Sequence, residues 1–561
     1  MLTILDEVPG EIYAIIFELT ISSERQSSFR IDYEGAETVN TRSLIAISHV
    51  CSRWRAIALS TPSLWTRCDT VNRPKLRGFL DRARHAPLSL VLTWGFASSN
   101  VDRCRNLMVS RSTRLRRLDI VLRNAAYGDI NEVLHFSAPA LECLVISQQD
   151  QLTVFYPYIR KPQGMKRMRA LALAPLAYCM PQGPFPYLAH LYLSFEYDWR
   201  GRSAHLLVSL LTGSPALQYL HLSRLHPFAP PLLDINIPLT RLKLLSITND
   251  SDFSSATSLL GCLSLPQTVP IRLDCHANHY FVGTSNLLHI PQLNGESGPS
   301  RLDVGFGFKA LSLFAEGDKL PSPVWVQAHY DDRDRFIWDN WLTSFATTHF
   351  FPSVLRSRLY IDSASSEAFI KLLHRLPYVA ELELLLYLNS DVIQYGAAAI
   401  CALGRICRAL STESTILCPD LRTVRVQIIT ATPSSTAYVG DLKRMLRART
   451  RLEVPIWSLA VQVIDVASID KSELESGRST GVNHVSRDGD AEKTGAYAQS
   501  LSETYVDELG PLVCDFQFYA PEGKVFPPRV DIDASWRMEG SEDYWALPEH
   551  DLPVLKFPWV N

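Results

Sequence analysis

The residues best suited to hold a metal ion lie close together at Asp274, Cys275, His276 and His279. Carboxylate, thiolate and imidazole are all metal ligands, and a structural zinc site usually draws two ligand pairs from recognisable spacings. No second pair of a known type accompanies this group. We therefore predict no metal site and no cofactor.

Catalytic motifs give no better indication of chemistry. The sequence contains no G-x-x-x-x-G-K-[ST] phosphate loop and no H-E-x-x-H zinc-protease helix. We identify no serine elbow placed between a strand and a helix. Acidic pairs such as Asp331-Asp332 are common on protein surfaces. The sequence thus predicts a protein without catalytic residues, although an enzyme with an unrecognised site is one alternative.

Composition restricts the class of protein. A chain of 561 residues is too long for one ordinary core, and 47% hydrophobic and 20% charged residues with a net charge of −3 describe a globular protein without a nucleic-acid footprint. The 11 cysteines are scattered and the N-terminus lacks a signal-peptide pattern, so we expect the cytosol or the nucleus. No apolar run approaches the roughly 20 residues of a membrane span.

Two amphipathic helices are predicted at the N-terminus. Pro9 suits a first helical turn, and Ile12, Ile15, Ile16 and Leu19 then recur at helical spacing. Residues 22–42 are polar and predict a loop. A second helix is predicted over 43–59, which Thr61-Pro62 would end. One face of that helix would carry Leu44, Ile47, Val50, Cys51, Trp54, Ile57 and Ala58.

These residues also occur in a particular order. Val8-Pro9-Gly10-Glu11-Ile12 and Ile16-Phe17 are followed by Val50-Cys51-Ser52-Arg53-Trp54 and Leu64-Trp65. This order resembles the F-box of fungal F-box-like proteins, with Val8 at a position where Leu is usual and with a longer loop. The resemblance implies that residues 4–68 dock on a Skp-type adaptor and, through it, on a cullin. It assigns adaptor binding or its support to Pro9, Ile12, Ile16, Val50, Cys51, Trp54, Leu64 and Trp65. Trp54 could instead belong only to the core of the module.

A leucine pattern, L-x-x-L-x-L, recurs through the middle of the chain. Six copies begin at Leu115, Leu141, Met168, Leu188, Leu217 and Leu242, so their starts lie 26, 27, 20, 29 and 25 residues apart. Two more begin at Val379 and Leu421. Such intervals are typical of leucine-rich repeats. We therefore predict an α/β fold: a small N-terminal helical F-box-like module and then an irregular leucine-rich-repeat solenoid, or horseshoe. An ordinary sheet protein with leucine-rich strands is the alternative.

The repeat pattern also predicts a binding surface. Side chains alternate along a strand, so the residue between the second and third apolar positions should point away from the core. Stacking the strands would align Asp119, Val145, Ala172, Tyr192, His221 and Ser246 in a ladder. We predict that His190, Tyr192, Tyr219 and His221 form an exposed aromatic and polar patch that binds the target protein.

Four segments follow from these patterns. Residues 1–70 would form the helical module and 71–465 the solenoid, with irregular repeats between 265 and 378. Residues 466–503 have the composition of a disordered segment or a long loop. Residues 504–561 regain aromatic residues and would fold back as a cap.

The function implied by the resemblance is that of a substrate-recognition adaptor. The chain would bring an unknown target protein to an SCF-type ubiquitin ligase, with ubiquitin transfer performed by other subunits. A leucine-rich scaffold unconnected to ubiquitin is the alternative. Neither nucleic acid nor membrane is expected as a partner.

Overall fold

A computed structural model describes most of the chain. The described residues are 8–28, 38–94, 101–122, 131, 134–148, 162–174, 180–181, 183–195, 203–225, 235–250, 253–266, 268–277, 298–306, 310–317, 323–330, 335–361, 366–388, 402–413, 415–430, 439–465, 502–519, 540, 544–545 and 547. Residues 466–503, predicted to be a disordered segment or a long loop, therefore lie almost wholly outside the described residues.

The chain divides into two compact units. The first comprises Met1–Asp250, Ser258–Pro266 and Arg537–Leu552. The second comprises Ser251–Thr257, Gln267–Trp536 and Pro553–Asn561. The N-terminal helices thus belong to the same unit as the first six copies of the L-x-x-L-x-L pattern.

The N-terminal module contains three helices and a short 3₁₀ turn. These are α1 (Gly10–Ser28), α2 (Arg42–Val50), α3 (Ser52–Ser60) and the turn Pro62–Trp65. The loop prediction for 22–42 is wrong at its start, because α1 continues to Ser28. The predicted helix stop is confirmed: α3 ends at Ser60, and Pro62 begins the 3₁₀ turn.

Cys51 divides what the sequence predicted as one helix over 43–59. Its backbone is extended, with φ −156° and ψ 170°. Its Sγ accepts the backbone N–H of Trp54 at 3.4 Å, so Cys51 caps the N-terminus of α3. A side chain that accepts this bond satisfies one of the four free donors at a helix start. The apolar periodicity runs through the break, which is why periodicity alone missed it.

The first unit carries a sheet of parallel strands. Its strands are β1 (Arg67–Asp69), β2 (Leu88–Trp94), β3 (Leu115–Leu122), β4 (Cys143–Gln148), β5 (Ala170–Ala174), β6 (His190–Ser194), β7 (Tyr219–Ser223), β8 (Ile237–Pro238), β9 (Leu244–Asp250) and β10 (Leu263–Ser264). All except β8 and β10 pair in chain order, and β8 pairs with β10. The helices are α4 (Arg73–Arg82), α5 (Val101–Arg111) and α6 (Ser203–Thr212), and the second half of α7 (Phe253–Cys262) also belongs to this unit.

The leucine repeats determine the register of this sheet. The second apolar position of each repeat faces its equivalent on the next strand, giving a continuous row of Leu118, Leu144, Leu171, Leu191, Leu220 and Leu245. All six are buried. Because a one-residue slip would turn every leucine to the opposite face, burial of this row fixes the pairing. Strands are therefore observed at all six positions where the leucine pattern predicted them.

The second unit carries nine strands of mixed direction. They are β11 (Ile271–Ala277), β12 (Arg301–Phe306), β13 (Ala310–Glu316), β14 (Val324–Tyr330), β15 (Arg356–Ile361), β16 (Glu381–Leu388), β17 (Thr423–Thr430), β18 (Ser458–Asp465) and β19 (Asp515–Tyr519). The strand order is β11-β14-β13-β12-β15-β16-β17-β18-β19. Only β13 runs antiparallel to its two neighbours.

Helices alternate with the later strands of this unit. They are α8 (Arg335–Thr348), α9 (Ser366–His374), α10 (402–409), α11 (Val439–Arg451) and α12 (502–509), which a 3₁₀ turn, Gly510–Leu512, follows. The chain is thus a mixed α/β protein with open sheets. Among the described helices, none has both the length and the apolar character required to cross a bilayer.

A buried arginine closes the connection between α10 and β17. The Arg449 guanidinium, on α11, donates to the carbonyl oxygens of Leu417 and Cys418 at 3.0 Å and to those of Val454 and Leu410 at 3.2 and 3.4 Å. Burial lowers the pKa of Arg449 from its usual value. A fork of five donors suits a turn that leaves several carbonyls without partners.

Candidate functional site

The N-terminal module is built around three aromatic rings. Phe17 and Trp54 lie 5.0 Å apart between centroids, and Tyr13 lies 5.6 Å from Trp54. The Arg53 guanidinium lies 5.3 Å from the Tyr13 ring centroid and donates to the Val8 carbonyl at 2.6 Å. Aromatic clusters of this kind bury large areas, so Tyr13 and Phe17 define the core-facing side of α1.

The isoleucines of α1 lie on its outer side. Ile12, Ile15, Ile16 and Leu19 are between 45% and 66% exposed. They recur at i, i+3, i+4 and i+7 and form one continuous apolar stripe, as the sequence predicted. The stripe does not pack into the module, because Tyr13, Phe17 and Ile21 occupy the core-facing positions instead.

The other predicted adaptor-binding residues fall into two groups. Pro9, Val50 and Cys51 are exposed, Val50 to 61%. Ile45 and Leu59 are exposed too, although no motif in the sequence selects them. Exposed large apolar side chains are concentrated here: seven of the 17 among the described residues lie between residues 12 and 59. Such concentration is typical of an interaction surface.

Trp54, Leu64 and Trp65 are placed to support this surface. Trp54 is half-buried in the ring cluster, and Leu64 and Trp65 are buried. The Trp65 indole N–H donates to the Ala58 carbonyl at 2.8 Å, and its ring packs edge-on against Phe79 of α4 at 5.0 Å. Trp65 therefore joins α3 to α4, and because it is buried it does not suit direct contact with a partner.

The predicted target-binding ladder has the expected register but is not exposed. Tyr192 pairs with His221 and His190 with Tyr219, with ring centroids 5.1 and 4.8 Å apart. All four side chains are buried, and Tyr192 and His221 are each only 1% exposed. The prediction that His190, Tyr192, Tyr219 and His221 form an open patch is therefore wrong for this structure.

The C-terminal segment covers the ladder. Trp545 packs into a cluster with Tyr192 and with small side chains of β4 and β5, and Tyr544 and Leu547 pack against that cluster. The Tyr544 ring lies 5.0 Å from the His190 ring. The cap predicted for 504–561 stays a prediction; within it, Tyr544, Trp545 and Leu547 pack against the first sheet. Residues 502–519 behave differently, since they form α12 and β19 of the second unit.

A row of charged side chains crosses the second sheet. Asp303, Arg358, Glu383 and Arg425 occupy equivalent positions on β12, β15, β16 and β17. Arg358 donates to Glu383 at 2.6 and 2.8 Å and to the Tyr360 hydroxyl at 3.2 Å. Because each strand contributes a single charge, the row exists only after the strands pair, and no local motif predicted it.

A neighbouring row extends this polar face. Arg301 donates to Asp303 at 2.6 Å, and Arg356 lies 3.6 Å from Glu381. Burial raises the pKa of the Asp303 carboxyl, although Arg301 favours its charged form. The two rows line a shallow, open cleft of about 60 Å³. Its charges largely neutralise one another, which is typical of a surface for polar recognition.

The described cysteines differ in chemical accessibility. Burial raises the pKa of Cys68, Cys143, Cys407 and Cys418 to about 12, so these thiols stay protonated at neutral pH. A protonated, buried thiol is a poor nucleophile. Cys51 is exposed.

Two features of the sequence with chemical interest lie at the margin of the described structure or beyond it. Asp274 is paired with Arg272 at 3.2 Å, whereas His279 lies outside the described residues. Gly477–Gly481 spells G-x-S-x-G within the polar segment, which also lies outside them. Among the described side chains, no group of three or more potential metal ligands comes together.

Comparison with known proteins gives no closer assignment. No protein-family model matches the sequence, and no curated protein shows significant similarity to it.

Proposed function

We propose that this chain is a substrate-recognition adaptor of an SCF-type ubiquitin ligase. The N-terminal module docks on a Skp-type adaptor and through it on a cullin, and the sheet-bearing remainder binds a target protein. The chain has no catalytic step of its own and acts in the cytosol or nucleus. The observation that carries this proposal is the exposed apolar stripe of α1, Ile12 to Leu19, on a module whose residue order resembles an F-box.

The module exposes more apolar surface than its own fold requires, and this surplus supports docking on a partner. The module already has a closed aromatic core of Tyr13, Phe17 and Trp54, so the stripe is not needed for folding. Burial of half-exposed isoleucines against a partner gains about 25 cal/mol per Å² of apolar area. A helix with such a stripe suits a hydrophobic groove between helices of another protein.

The remainder of the chain is proposed to be an irregular leucine-rich-repeat solenoid, curved as a horseshoe. Its support is the repeated unit of a parallel strand with a buried leucine row, for which intervals of 20 to 29 residues were counted. In such arrays each repeat buries its apolar face against its neighbours and leaves a broad sheet for binding.

A pair of matched double variants tests the docking surface. Ile12→Glu/Ile16→Glu places two charges in the stripe, and Val109→Glu/Leu355→Glu places two at similarly exposed apolar positions elsewhere. The wild-type full chain should co-purify with the adaptor. The affinity of the first variant for the adaptor should fall at least a hundredfold, and that of the second variant should be unchanged. The charge placed in an apolar interface supplies that loss, since an unpaired buried charge costs several kcal/mol.

The alternative, a scaffold unconnected to ubiquitin, makes a different prediction for the same experiment. A folded wild-type chain that binds no Skp-type adaptor would reject the ligase proposal. If the stripe variant nevertheless lost other partners from the set captured by the wild type, the stripe would be a docking surface for a different helical protein.

A further inference from the structure

The site beneath Trp545 has the features of a binding pocket for an aromatic side chain. Ala170, Ala172 and Ala174 alternate along β5, so all three methyl groups face the side of the sheet opposite the leucine row. Their small size leaves room for a large ring. The Trp545 indole fills that room and is almost fully buried against Tyr192 on the adjoining strand.

A second ring position lies beside the first. The His190 ring stacks on Tyr219 at 4.8 Å and contacts Tyr544 at 5.0 Å, while it meets Trp545 edge-on at 6.5 Å. Lys243 adds a cation 5.8 Å from the Tyr219 ring centroid. The sheet thus offers two adjacent places for aromatic rings, about one residue apart along a bound chain.

The fit of Trp545 is incomplete in one respect. Its indole N–H is buried, yet it finds no acceptor among the residues that the structure describes. The segment also comes from a distant part of the sequence, since β6, which carries Tyr192, ends more than 300 residues before Trp545. None of the described strand pairs beneath Trp545 includes it, so the segment can leave without breaking a strand pair, as a ligand that exchanges must.

We propose that this face of the first sheet is a binding site for an extended segment of a partner protein with two adjacent aromatic residues, and that Tyr544-Trp545 occupies it as an internal ligand. The partner inserts one ring over the alanines of β5 and the other against His190, and the tail leaves when the partner binds. This site is independent of the machinery that the N-terminal module joins, so the inference stands apart from the ligase proposal.

A labelled peptide tests the exchange. The probe is a fluorescein-labelled peptide with the sequence of residues 538–549, and its matched control carries Ala at the positions of Tyr544 and Trp545. Full-length Trp545→Ala protein should bind the probe, because its pocket is empty, and should not bind the control peptide. Full-length wild type should bind the probe about tenfold more weakly, since a tethered competitor acts at roughly millimolar effective concentration.

A second variant keeps the test valid if Trp545→Ala does not fold. Sites for a specific protease, inserted after Arg537 and after Glu549 of the otherwise wild-type chain, allow residues 538–549 to be cut free after folding, so that the released fragment contains only residues of the first unit. Excess unlabelled probe should then release the tail fragment on gel filtration. Retention of the fragment, or a folded Trp545→Ala protein that does not bind the probe at millimolar concentration, would overturn the proposal and identify the tail as a permanent cap.

Discussion

Two adjacent residues of α1 should have opposite roles, and separate substitutions can show this. Phe17 is 1% exposed and contacts Tyr13 and Trp54, whereas Ile16 is 46% exposed. Phe17→Ala should cost about 3–5 kcal/mol of local stability, because it removes a buried ring and leaves a cavity. Ile16→Ala removes side-chain atoms that water already reaches, so its cost should stay below about 1 kcal/mol.

Hydrogen exchange of the α1 amides in the full chain measures both effects. Since 1.4 kcal/mol corresponds to a factor of ten, Phe17→Ala should accelerate exchange by roughly two to four orders of magnitude, and Ile16→Ala by less than about tenfold. The Ile16→Ala protein should instead lose affinity for the Skp-type adaptor. Equal acceleration by the two substitutions would refute the assignment of the isoleucine side as the outer face of α1.

Three further results are expected. Arg449→Met should lower the free energy of unfolding of the second unit by about 3–5 kcal/mol, measured by urea denaturation, because four carbonyl oxygens lose their charged donor. A decrease below about 1 kcal/mol would contradict the hydrogen-bond geometry. Iodoacetamide at pH 8 should alkylate the exposed Cys51 within minutes. It should leave Cys143 unmodified until the protein unfolds, because burial raises the pKa of that thiol to about 12. Mass spectrometry of the peptides measures both alkylation rates, and equal rates would contradict the burial of β4. The hydrogen bond and charge of Lys443 lower the pKa of Glu508, so the contact between α11 and α12 stabilises the fold above the usual glutamate pKa and is lost as pH falls through the lowered pKa. Amide hydrogen exchange of residues 502–509 should therefore rise in that pH range in the wild type. The Glu508→Gln protein should show no such rise.

The repeat strands could be predicted because their signal is local. Each L-x-x-L-x-L specifies a strand and the face that it buries, and identical patterns on successive strands specify the register. The row from Leu118 to Leu245 follows from these rules alone. The F-box-like residue order likewise selected residues that the structure leaves exposed, such as Ile12, Ile16 and Val50.

The core-facing side of α1 could not be predicted from periodicity. Ile12 and Ile16 are four residues apart, and so are Tyr13 and Phe17, so two neighbouring faces of the helix are both apolar. Only the presence of Trp54 on α3 decides between them, through its contact with both rings of the second pair. A single-sequence pattern contains no information on that tertiary choice.

Long-range contacts account for the other differences. The ladder through Tyr192 is buried by Trp545, which is more than 350 residues away in the sequence. The charged row on the second sheet joins Asp303 to Arg425 across 122 positions, with one charge on each strand. In both cases the surface is created by strand pairing or by a returning segment, and neither leaves a signal in a short window.

The central claim is that the α1 stripe docks on a Skp-type adaptor, and hydrogen exchange of the full chain with and without the purified adaptor tests it most directly. Protection should appear in α1 and around Val50 and Cys51, and should be absent from the same mixture made with Ile12→Glu/Ile16→Glu protein. A folded wild-type chain whose α1 amides exchange at the same rate with and without saturating adaptor would contradict the claim.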